Sequence, residues 1–133
     1  MEFNAHRFLD ELGLRATRPR IHAARLLFGD GRDKHVTAEW VGAQLEAINQ
    51  PVALATVYNT LNNFMEVGRL VQVNGVDRGV IIFDTNTAPH YHIYDETTKS
   101  LTDLPADAVD FNGQFQLEDG KRVVGYDFVV RVK

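Results

Sequence analysis

With 133 residues, 44% of them apolar and 24% charged, the chain holds enough material for one ordinary domain or two small ones sharing a core. It has no cysteine, which excludes disulfides, thiolate catalysis and cysteine-bound zinc. No apolar run approaches a membrane span and the start does not resemble a signal peptide, so a cytoplasmic protein without a membrane partner is expected.

The formal net charge of −4 argues against a nucleic-acid partner only as a sum. Residues 1–70 carry eight Lys/Arg and eight Asp/Glu, whereas residues 71–133 carry six and ten. The start, MEFNAHRFLDEL, reads as a short helix with Phe8, Leu9 and Leu12 on one side. From Gly13 to Phe28 there are four arginines, Arg15, Arg18, Arg20 and Arg25, and no carboxylate. A local basic stripe of this kind, rather than the global sum, sets affinity for phosphates.

Thr17-Arg18-Pro19 reads as a helix start, a capping threonine with a proline in the first turn. Ile21, Ala24, Leu27 and Phe28 form its apolar seam, ended by Gly29-Asp30-Gly31. Thr37 caps a second helix with Glu39 in its first turn; Trp40 or Val41, Leu45 and Ile48 line its inner side. Asn49-Gln50-Pro51 breaks that helix and a third follows at once. Two short helices joined by a tight break have the outline of a helix-turn-helix.

The third helix lies within PVALATVYNTLNNFMEVGRL, residues 51–70. Leu54, Val57, Leu61 and Phe64, with Met65 beside them, make a core-facing seam. Ala55, Tyr58, Asn59 and Asn62 fall on the opposite side and carry no charge. Amides pair with adenine edges and small or aromatic groups pack on the thymine methyl, so this face suits a major groove. With Thr56 these are the candidate base contacts; Arg15, Arg18 and Arg20 are candidate phosphate contacts. The helix begins Val52-Ala53, with no side chain to cap its first N–H groups, which leaves orphan donors for a phosphate or for water. Gly68 is its expected C-terminal stop.

From Val71 the pattern changes to short strands. Val71–Val73 and Val80–Phe83 read as a hairpin with a six-residue loop, 74–79, placing Arg78 at the tip as a further candidate DNA contact. Alternation in Pro89-His90-Tyr91-His92-Ile93-Tyr94 predicts a strand with both imidazoles on one face, half of a nitrogen-rich metal site. His6 and His22 have no visible ligand partner and read as structural or solvated. Leu101–Leu104 reads as a strand, Pro105–Phe111 as the start of a short helix, and Val123–Val132 as a long strand with Tyr126, Phe128, Val130 and Val132 on one face. An apolar edge of that length in so small a domain predicts pairing with a partner chain, hence a homodimer or higher oligomer.

The segments LGLRATRPR, HVTAE and LATVYNTL, followed by a glycine and a hairpin, resemble the Fur family of metal-responsive transcriptional regulators. ATVYNTL, FDTNT and the His-x-His that follows resemble its Irr branch, the iron-response regulators. The resemblance runs from about Leu12 to His92. It implies an α+β fold: a winged helix-turn-helix DNA-binding domain, 1–84, followed by a small α/β dimerisation domain, 85–133. It further implies a non-enzymatic, sequence-specific regulator of iron or heme homeostasis that binds double-stranded operator DNA. Tyr58 is then the base-reading aromatic and Arg15 the basic residue near the minor groove. Asn59 stands where many relatives have arginine, and Ala53 where a serine is usual.

The resemblance also implies a hinge metal site of His35, Asp84, His90 and His92, for Fe, Mn or Zn, whose occupancy biases the angle between DNA-binding heads. Asp84 replaces the family's glutamate and lies one residue closer to His90 than the common spacing. The structural CxxC zinc site is missing, replaced by Asp95-Glu96-Thr97-Thr98. Irr-like proteins are associated with heme, which makes His90, Tyr91 and His92 candidate heme contacts; a cysteine-proline heme motif is impossible here. Two other readings use the same cluster: a metal-dependent hydrolase, which lacks an evident base, glycine loop or nucleophile elbow, and a heme or metal carrier without DNA binding.

Overall fold

The structure, a computed structural model, describes residues 2–77, 79–110 and 115–133. The chain forms two compact units, Met1–Thr87 and Ala88–Lys133.

The first unit contains helices α1 (Ala5–Glu11), α2 (Arg18–Phe28), α3 (Ala38–Ala47) and α4 (Leu54–Glu66), with strands β1 (His35–Val36), β2 (Val71–Val73) and β3 (Ile82–Asp84). Caps explain most helix boundaries. Asn4 accepts from the Arg7 N–H at 3.0 Å to start α1, and Thr37 accepts from the Trp40 N–H at 3.1 Å to start α3. Thr17 makes no such side-chain bond; Pro19 in the first turn presets the backbone of α2 instead.

Three helices stop in the same way. Gly13, Asn49 and Gly68 adopt positive φ, and a pair of backbone bonds closes a Schellman motif at each: Leu14 N to Leu9 O with Gly13 N to Asp10 O, Gln50 N to Leu45 O with Asn49 N to Glu46 O, and Arg69 N to Phe64 O with Gly68 N to Met65 O. Asn49 therefore ends α3 as a glycine would. These stops turn the chain sharply enough for four short helices to share one core.

That core is built from Leu9, Leu27, Val41, Leu45, Val57, Leu61, Phe64 and Phe83, all fully or nearly fully buried. Phe8, Phe28 and Phe64 form an aromatic cluster with centroids 4.9 to 6.5 Å apart. The Arg69 guanidinium lies over Phe8 and Phe28 at 5.1 and 5.2 Å, so that side chain packs on the core.

Three expected core positions lie outside it. Val41, not Trp40, is the inward residue of α3; Trp40 is 40% exposed and Ile48 56%. On α4 the buried residues are Val57, Thr60, Leu61 and Phe64, an arc centred on Val57 and Phe64 that leaves Leu54 at its margin, 46% exposed. Thr60 is tolerated inside because its hydroxyl donates to the Thr56 carbonyl at 2.8 Å.

Strands β1, β3 and β2 form an antiparallel sheet in that order. The hairpin loop is longer than expected: β3 begins at Ile82, and Val80 and Ile81 are exposed. Strand β1 was not predicted, because two residues are too few to show alternation. It pairs His35 with Asp84.

The second unit is a three-stranded sheet, order β5-β4-β6, of β4 (His90–Asp95), β5 (Ser100–Pro105) and β6 (Val129–Val132), with a 3-10 turn at Ala106–Ala108. β4 is antiparallel to β5 and parallel to β6. The expected strand from Val123 is shorter, starting at Val129. Ahead of it Tyr126 and Phe128 pack their rings on Tyr91. The helix expected to reach Phe111 is a single 3-10 turn over the described residues, and Phe111 lies outside them. Among the described residues no helix is long and apolar enough to cross a membrane.

Candidate metal centre and nucleic-acid interface

Each unit holds an acid–imidazole group. In the first, the β1–β3 pairing brings His35 Nε2 to 3.2 Å from Asp84 Oδ2. Asp84 has no exposed surface, and its other oxygen accepts from the Asn86 N–H at 2.9 Å. A carboxylate is rarely withdrawn from water so completely without a positive partner.

In the second unit, period two along β4 puts His90 and His92 on one face, their Nε2 atoms 3.1 Å apart. His90 Nδ1 lies 2.7 Å from the Ala88 carbonyl, which can only accept, so Nδ1 carries the proton and Nε2 presents its lone pair. Asp103 Oδ1 stands 3.3 Å from His90 Nε2 and 3.7 Å from His92 Nε2. Such a constellation of donor atoms requires a proton or a cation among them. Separations of 3.1 to 3.7 Å match adjacent ligands on one ion with bonds of roughly 2.0–2.2 Å. The nitrogen–oxygen donor set fits a borderline divalent metal.

Asp103 was absent from the expected ligands. It is delivered by the β4–β5 register, which pairs His92 with Asp103. A four-residue turn sets that register: Asp95 Oδ1 accepts from the Thr97 and Thr98 N–H groups at 2.9 and 3.1 Å, and Lys99 closes it at φ 62°. Counting outward from Glu96–Lys99 would have placed Asp103 opposite His92.

Tyr91 is not brought to the two imidazoles. It points to the other face, its ring 5.2 Å from Phe128 and 6.4 Å from Tyr126. Burial, then the hydrogen bond with Tyr126, raises its pKa and disfavours the phenolate that iron ligation would need.

On the candidate DNA face, Ala55, Asn59 and Asn62 are exposed along α4, while Thr56 and Tyr58 are half-buried. The Tyr58 hydroxyl donates to Glu39 Oε1 at 3.2 Å, so α3 orients that ring. Desolvation, then Glu39, holds its pKa above the ordinary value. Exposed Leu54 adjoins this face, which an arc centred on Val57 would have indicated. As expected, no side chain caps the α4 start at Ala53.

The basic stripe divides. Arg15 and Arg18 are exposed. Arg20, the third candidate phosphate contact, donates from Nε and Nη2 to Asn63 Oδ1 at 3.3 and 3.0 Å and from Nη1 to the Arg15 carbonyl at 3.0 Å. Its reach back across the helix pair makes it a tie between α2 and α4. Arg78 lies outside the described residues.

Comparison with known proteins follows this outline. The family model described as the ferric uptake regulator family matches residues 11–126. A ferric uptake regulation protein of Pseudomonas fluorescens is 30% identical over 103 residues, 77% of this chain and 82% of that protein. One from Cupriavidus metallidurans is 34% identical over 83 residues, 62% of this chain but only 57% of its own length. Among solved structures, the ferric uptake regulator of Pseudomonas aeruginosa with manganese superposes with a TM-score of 0.68 at 24% identity, covering 98% of each chain. That of Francisella tularensis with iron gives 0.71 at 20% identity, covering 91% of this chain and 92% of the other. At those identities the structural likeness establishes the α+β fold and nothing finer.

Proposed function

This chain belongs to the ferric uptake regulator family, and on that premise we propose that it is a homodimeric transcriptional regulator whose affinity for operator DNA is set by a divalent metal ion. Residues 1–84 form the winged helix-turn-helix, with α3 and α4 as its two helices and the β2–β3 hairpin as the wing; residues 85–133 form the dimerisation domain. Ala55, Thr56, Tyr58, Asn59 and Asn62, together with Leu54, face base edges; Arg15, Arg18 and Arg78 meet the backbone. Arg20 positions α2 against α4 rather than touching phosphate.

The observation that carries the metal reading is the pair of acid–imidazole groups, one with a carboxylate of zero exposure. His35, Asp84, His90 and His92, as the resemblance implies, ligate one Fe, Mn or Zn ion, with Asp103 as a fifth ligand or an orienting partner. Relatives described with manganese and with iron are consistent with that choice. An Irr-like heme response is the second reading. It is favoured by the two imidazoles on one strand face and weakened by Tyr91 lying on the other.

The test is binding of fluorescent duplexes from iron-responsive promoters by apo protein, by protein with manganese or zinc, and by protein with heme. The metal reading expects tight, strongly salt-dependent binding that a divalent ion changes and that His90→Ala with His92→Ala abolishes. Regulation by heme alone, with a Soret shift lost in the same double variant, would transfer the assignment to the Irr-like reading. Retention no better than on random DNA under every condition would refute both.

A further inference from the structure

We propose that the cleft between α2 and α3 binds a small amphipathic carboxylate, independently of the DNA and metal reading above. The cleft has a volume of about 240 Å³ and is lined by His22, Arg25, Leu26, Gln44, Leu45 and Ile48. Sequence spacing assembles it: 22, 25 and 26 share one face of α2, and 44 and 45 lie on one side of the last turn of α3 with its C-cap residue 48. An imidazole, a guanidinium and a carboxamide thus stand beside three branched apolar side chains.

The charge on this wall is one-sided. No carboxylate lines the cleft, and among the described residues neither Arg18 nor Arg25 uses its guanidinium in an ion pair or hydrogen bond. Burial, then the positive charges of Arg25 and Arg18, holds the His22 imidazole below its ordinary pKa, and the two arginines contribute a positive field at this wall. A carboxylate answers that field and accepts from the guanidinium fork and the Gln44 amide. A bare inorganic anion would leave the half-buried Leu26 and the 56%-exposed Ile48 uncovered, whereas an alkyl chain would cover them. The volume lies below the roughly 300–1,000 Å³ of sites for drug-sized ligands, which limits the occupant to a short chain or a single ring.

The test titrates the full chain with octanoate, octanol and octylamine, followed by amide and methyl NMR signals of α2 and α3. Octanoate should shift residues 22–26 and 44–48 saturably and bind about tenfold tighter than octanol, with octylamine weakest. Arg25→Gln should weaken octanoate by about tenfold and leave octanol unchanged. Ile48→Glu, at an exposed position where the fold is not at stake, should weaken octanoate more than octanol, because like-charge repulsion adds to the apolar cover that both ligands lose. Equal binding of octanol and octanoate, a preference for octylamine, no saturable shift at millimolar octanoate, or indifference to both variants would overturn the proposal.

Discussion

Asp103→Asn isolates the charge beside the two imidazoles while keeping side-chain shape. The carboxylate oxygen lies 3.3 and 3.7 Å from the two imidazole Nε2 atoms, so an ion held by those nitrogens would sit within about 4 Å of it. At that distance one pair of unit charges interacts by about 1 kcal/mol in water and about 4 kcal/mol at the effective dielectric of a protein surface. The Asp103 side chain is a third exposed, which places the loss nearer the lower figure. An expected weakening of metal binding of about tenfold, about 1.4 kcal/mol, follows and falls at the low end of the usual effect of removing a ligand's partner. Competition with a chromophoric chelator measures it for manganese, zinc and cobalt, with Asp107→Asn as the control for net charge. If Asp103→Asn weakens metal binding no more than Asp107→Asn does, Asp103 has no part in the centre and the donor geometry has been misread.

Gly68→Ala forces a side chain into φ +79° at the α4 stop and should cost about 1–2 kcal/mol, seen as a lower urea midpoint with an unchanged slope. Lys99→Gly removes the opposite mismatch at φ 62° and should stabilise by up to about 1 kcal/mol, with thermal unfolding as the readout. Arg20→Met and Asn63→Ala should each destabilise by about 1 kcal/mol and the double variant by less than the sum, because both break one tie; additivity in urea unfolding would contradict it. Asn62→Ala should reduce operator discrimination by about 1–3 kcal/mol with little change in the salt slope, whereas Arg18→Gln should lower the slope by about one; identical behaviour of the two would remove α4 from the groove.

Where sequence and structure part company, the cause is usually the third dimension. Helix starts and stops depend on residues within a few positions, so Thr37, Asn49 and Gly68 announced themselves. The inward face of α4 was legible in Val57, Leu61 and Phe64, while Leu54 was misplaced because period alone does not say how wide a buried arc is. Trp40 and Val41 were indistinguishable until packing placed Val41 inside. Arg20 looked like its neighbours Arg15 and Arg18; only the approach of α2 to α4 brings it to Asn63.

The same division runs through the site. Alternation along β4 determined that His90 and His92 share a face and, equally, that Tyr91 does not, although the three adjacent residues invited a joint role. What spacing could not supply was pairing across strands. His35 and Asp84 are 49 residues apart and meet because β1 and β3 align, and Asp103 meets His92 because a turn without glycine holds its register. Local chemistry therefore indicated most helix boundaries and the shared strand face of His90 and His92, which depend on neighbours a few bonds away. Which donors stand together within each unit was decided only when the chain folded, since hydrogen-bond ladders and side-chain packing act between segments that the linear order keeps apart.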